Sequence, residues 1–112
     1  MNIGERIALL QEELKFEDER QDVLYPEFQR LCDPWPDDLE KILTFEERQE
    51  LLSLNEARQR EESEALVRRP EFLTWNSAEE TESNLHALLQ NLRKTNDIVG
   101  RMIEIIDKAK KQ

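Results

Sequence analysis

Four carboxylates have the types and spacing that could do chemistry: Glu79 and Glu82, then Glu104 and Asp107, in an E-x-x-E, spacer, E-x-x-D pattern. Such pairs, brought together from two facing helices, can hold hydrated magnesium ions for metal-assisted hydrolysis. That arrangement requires a turn between the pairs. Residues 83–103 instead keep an unbroken heptad pattern, which sets the two pairs roughly 30 Å apart on one rod. With 26 acids among 112 residues, a chance match of this kind is expected. His86 is the only histidine and Cys32 the only cysteine. One chain therefore assembles no His-His or His-Cys metal set, no histidine-based triad and no internal disulfide. His86 reads as an exposed helix residue and Cys32 as a small buried hydrophobe. No catalytic residue, metal site or cofactor is expected, and the chain reads as non-catalytic.

The element that carries those carboxylates dominates the sequence. Leu85, Leu92, Val99 and Ile106 recur every seven residues, and Leu88, Thr95, Met102 and Ala109 form a second row three residues on. This is the a/d spacing of a helix packed along a seam, and it predicts one coiled-coil-like helix over 78–110. Ser77 and Glu80 form a capping-box pattern at its start, and Lys108, Lys110 and Lys111 suit its C-terminal dipole. Ile98, Ile103 and Ile105 carry the apolar surface beyond the seam. One neighbouring helix cannot cover that surface, which points to an interaction protein. The partner-binding residues expected on this ground are Leu92, Asn96, Val99, Met102, Ile103 and Ile106. Thr95 and Asn96 form a polar notch in the seam, suited to setting register or to hydrogen bonding a partner. Gly100 costs around 1 kcal/mol against alanine in a helix interior and would permit close approach of another backbone.

Two further helices are expected. The first spans about 3–32, with Ile3, Ile7, Leu10 and Leu14 in register and a break near Pro26, whose ring clashes with the preceding turn. The second spans about 38–67, with a Thr44–Glu47 capping-box pattern inside it or opening a fresh helix. Residues 55–64 are polar almost all round. Facing polar middles would place Glu17 and Gln21 near Arg58 or Gln59. The connectors hold Pro34, Pro36 and Pro70, with Trp35 expected as a lid across the bundle end and Trp75 as a loop anchor. No credible strand is present. The fold class is thus all-α: a single domain over 1–112, an elongated three-helix bundle running up-down-up.

Net charge is −10. Residues 1–36 carry nine acids and four bases, 37–75 eleven and six, and 76–112 six and six. The acidity lies wholly in the first two thirds of the chain, so this acidic protein repels phosphate backbones and nucleic acid is not an expected partner. Membrane insertion is not expected either, because no segment approaches the roughly 20 apolar residues a span needs. The first residues lack the basic start and apolar run of a signal peptide, and with one cysteine a cytoplasmic location is expected.

Two stretches resemble a known family. LLQNLRKTNDIVGRMI, residues 88–103, resembles the C-terminal helix of the FlgN-type flagellar export chaperones, with Asn96, Gly100 and Ile103 at the matching positions. Residues 43–66, LTFEERQELLSLNEARQREESEAL, are similar to that family's charged middle helix. The resemblance implies a small cytoplasmic secretion chaperone that holds a client through its C-terminal helix. A structural subunit or homodimeric bundle is the alternative reading. The acidic pattern above also matches that of the all-α nucleotide pyrophosphatases of the MazG and dUTPase type, which would make the chain a metal-dependent enzyme.

Overall fold

The computed structural model describes residues 1–32, 39–69 and 77–111. It contains α1 (Ile3–Cys32), a single-turn α2 (Leu39–Ile42), α3 (Phe45–Arg68) and α4 (Ala78–Lys110). No strand occurs among the described residues. The three long helices run up-down-up in a body of 53 × 21 × 19 Å, the length that a helix of 33 residues sets at about 1.5 Å per residue. The expectations for Trp35, Trp75 and the proline connectors, and for the side chain of Cys32, lie outside the described residues and side chains.

Two expected boundaries are corrected. Pro26 does not end the first helix, which continues through it to Cys32. Proline removes the hydrogen bond its own amide would donate and crowds the preceding turn, but beyond it Leu31 is buried in the core with Phe28 packed alongside, and that burial holds the helix together. The second helix, expected over 38–67, is divided. Thr44 caps α3 with a complete capping box: its hydroxyl accepts from the Glu47 amide at 3.1 Å, and the Glu47 carboxylate accepts from the Thr44 amide at 2.8 Å. These contacts satisfy amides that the first turn leaves orphaned. Ser77 caps α4, its hydroxyl accepting from the Glu80 amide at 3.1 Å.

The eight a/d positions of α4 are all buried, and the burial extends to a column on each side. Leu89 and Asn96 lie on the flank facing α1, where Asn96 meets Glu17. Asn91 and Ile105 lie on the flank facing α3, where Asn91 meets Glu61 and Glu64. The broad apolar arc therefore exists because α4 packs against two helices at once. α1 and α3 each pack closely on α4, whereas they meet one another mainly through long side chains.

The interior divides into two apolar cores. One gathers Leu14, Ala65, Leu85, Leu88, Leu89 and Leu92. The other gathers Leu31, Leu39, Leu43, Leu51, Met102, Ile105, Ile106 and Ala109, with α2 closing the end of the bundle through Leu39. Removing each large side chain from water contributes roughly 1.5–3 kcal/mol. Between the cores lies a polar layer of Glu17, Asn91, Thr95 and Asn96, all buried.

Candidate functional site

Of the six residues expected to bind a partner, Leu92, Asn96, Val99, Met102 and Ile106 are buried, and Ile103 packs half-buried against the second core. They are brought together, but under α1 and α3. A partner reaches this face only if one of those helices moves away. Gly100 also departs from expectation, since no neighbouring atom lies within 4 Å of a Cβ built there. Among the described residues, nothing approaches it.

The polar notch is an internal site. The Asn96 amide nitrogen donates to the Glu17 carbonyl at 3.0 Å and to the Glu17 carboxylate at 2.9 Å. Arg20 donates to the same carboxylate at 3.3 Å and to Asp97 at 2.7 Å. The Asn96 side-chain oxygen is buried without a hydrogen-bond partner, a cost usually of about 1–3 kcal/mol. On the opposite flank Asn91 donates to Glu61 and Glu64 while accepting from Arg68 at 2.6 Å. The amide of Asn91, followed by the guanidinium of Arg68, holds the Glu64 carboxyl below its ordinary range.

The expected meeting of Glu17 with Arg58 does not occur, because Glu17 turns to α4. The α1–α3 contact is made elsewhere. The Tyr25 hydroxyl donates to Glu62, the Arg58 guanidinium lies 5.0 Å from the centre of the Phe28 ring, and Arg69 donates to Asp18 at 2.8 Å. Burial, then the Glu62 bond, pushes the Tyr25 hydroxyl well above its usual range. These contacts cross the gap between two helices whose backbones stay apart.

The four carboxylates of the acidic pattern stay dispersed on one continuous helix. Glu82 pairs with Arg6 of α1, and Glu104 with Arg101. Glu82 and Glu104 are 22 positions apart, or roughly 33 Å along a helix, so within one chain they cannot share an ion. Among the described residues no group of three or more His, Cys, Asp or Glu is placed to hold a metal ion. His86 is exposed. Among the described residues, no helix is long and apolar enough to cross a membrane.

The surface holds apolar residues that the seam-based reading missed. Leu9, Phe16 and Val23 on α1, and Phe45, Leu52 and Leu66 on α3, are exposed. Their signal was present in the sequence as seven-residue spacing, 9-16-23 and 45-52-(59)-66. It was masked by the stronger Ile3-Ile7-Leu10-Leu14 row beside it. Comparison of the chain with protein-family models, curated proteins and solved structures yields no match.

Proposed function

We propose that this chain is a non-catalytic protein–protein interaction module that works in a reducing, cytoplasmic setting and binds through the outer faces of α1 and α3. The observation that carries this reading is the pair of exposed apolar rows, Leu9-Phe16-Val23 and Phe45-Leu52-Leu66. Single exposed apolar residues are ordinary, whereas rows repeated along a helix mark surfaces that a partner covers. Capture of cellular partners on the immobilised full chain tests it. A Phe16→Ser, Leu52→Ser variant that keeps its helical circular dichroism should lose the partner. Undiminished capture overturns the reading.

A second reading is favoured by the buried polar layer. An export chaperone of the FlgN type would hold its client on Leu92, Asn96, Val99, Met102, Ile103 and Ile106, and the unpartnered Asn96 oxygen weakens the α1–α4 seam that covers them. Linking Arg20→Cys to Asp97→Cys with a short bifunctional reagent separates the two readings. Locking the seam should abolish capture if the client takes the face of α4, and leave it intact if the outer rows bind.

A further inference from the structure

The outer face of α1 carries two parallel rows at the same seven-residue pitch. Leu9, Phe16 and Val23 form the apolar row, with Phe16 64% and Val23 75% exposed. Glu5, Glu12 and Glu19 stand four residues before each of them, so each acid lies beside its apolar neighbour on the helix surface. All three acids are exposed. Among the described residues, Glu5 is engaged only with Asn2, and Glu12 and Glu19 have no ion-pair partner. The other border of the apolar row is already closed, because Arg6, Glu13 and Arg20, each three residues before an apolar member, pair with Glu82, Arg93 and Asp97 of α4. The face thus offers apolar contact along its centre and, along its free edge, three exposed acids against the single cation Lys15 that lies between Glu12 and Glu19.

We infer that this face is a docking surface for a basic amphipathic helix, one that presents apolar residues at heptad spacing and lysine or arginine beside them. The inference rests on the interaction-module reading and assigns the chemistry of one partner to one helix. Charge selects the occupant. A second copy would set Glu12 and Glu19 against the same acids in a chain of net charge −10, whereas a basic helix neutralises them as the apolar rows interlock. An anionic lipid or nucleic-acid surface is repelled by the same acids.

The test uses the full chain and a labelled peptide of about 21 residues with leucine at a and d and lysine at e and g. A glutamate counterpart and a lysine peptide with shuffled leucines serve as controls. Fluorescence anisotropy should show binding of the patterned lysine peptide alone, weakening as NaCl rises from about 50 to about 500 mM. Phe16→Ser with Val23→Ser should weaken it by about tenfold or more, as loss of a central apolar anchor does. Glu12→Gln with Glu19→Gln should weaken it less, and Val67→Ser, at an exposed apolar residue of α3 outside both rows, not at all. Equal binding of the shuffled peptide, or equal binding by the Phe16→Ser, Val23→Ser variant, overturns the inference. A concentration-dependent dimer of the chain alone that Phe16→Ser abolishes also overturns it, by assigning the face to a second copy. If the peptide fails to bind while cellular capture is still lost on Leu52→Ser, this inference fails and the interaction-module reading stands.

Discussion

The apolar rows of α4 and α1 share a seven-residue spacing and have opposite fates. Leu85, Leu92, Val99 and Ile106 lie in the interior, whereas Leu9, Phe16 and Val23 face solvent. Spacing establishes that residues share a face. It does not establish which way the face turns. What differs is the breadth of the apolar arc: α4 carries apolar residues on both sides of its row, while the α1 row is bordered by Glu5, Glu12 and Glu19 on one edge and by ion pairs on the other. α4 therefore sits between two helices, and the α1 row is a ridge on the outside of the bundle.

The comparison is broken most severely by truncating one residue from each row. Ile106→Ala removes a wholly buried side chain from the second core and should lower unfolding free energy by about 2–5 kcal/mol. Phe16→Ala removes a larger side chain from the exposed row and should change it by less than about 0.5 kcal/mol. Urea unfolding of the two variants checks the contrast, and comparable losses would show that the α1 row is covered.

The polar layer gives the next largest effect. Asn96→Ala leaves the buried Glu17 carboxylate without the amide that donates to it and should cost about 1–3 kcal/mol. The double variant Glu17→Leu, Asn96→Leu removes both polar groups and should recover most of that loss, since apolar replacement of a buried polar pair is often close to neutral. A double-mutant cycle measures the coupling. Additive losses would mean that the two side chains do not act as a pair.

The spine of the fold was legible in sequence because heptad periodicity reports packing directly, and all eight a/d residues of α4 are buried. The flanking columns were legible as apolar excess but not as an intrachain contact. Breadth shows that more than one neighbour exists without showing whether that neighbour belongs to the same chain. Glu17 was misplaced because the polar middles of α1 and α3 look complementary in composition, while its partner Asn96 lies 79 positions away. Pro26 was read as a break from its local steric effect, and tertiary burial of Leu31 outweighs that cost. The exposed α1 row was visible as residues 9, 16 and 23, but periodicity alone ranks it below the interior row beside it.

Gly100 sharpens the contrast between inside and outside. It is the only glycine in α4, and a Cβ there would meet nothing within 4 Å. Gly100→Ala should therefore raise stability by about 1 kcal/mol, through reduced unfolded-state entropy and better helix propensity. A loss of stability in thermal unfolding would reveal a close neighbour at this position.

The smallest effect concerns the ion pairs along the two flanks of α4. Hydrogen bonds from Arg6 and Arg101 hold the Glu82 and Glu50 carboxyls below their usual value of 4.5. A carboxyl with a lower pKa in the folded state binds protons less tightly there than when unfolded. Its contribution is thus present above about pH 4.5 and fades as pH falls through the folded-state value. Both pairs are exposed, so each contributes little, and general relief of acidic repulsion acts in the opposite direction at low pH. Comparing variants removes that shared background. The Tm difference between the wild type and Arg101→Gln should be small near neutral pH and shrink further below about pH 4.5, with Arg6→Gln behaving alike on the other flank. A Tm difference that grows on acidification would show that these arginines act through packing of their aliphatic stems rather than through the carboxylates.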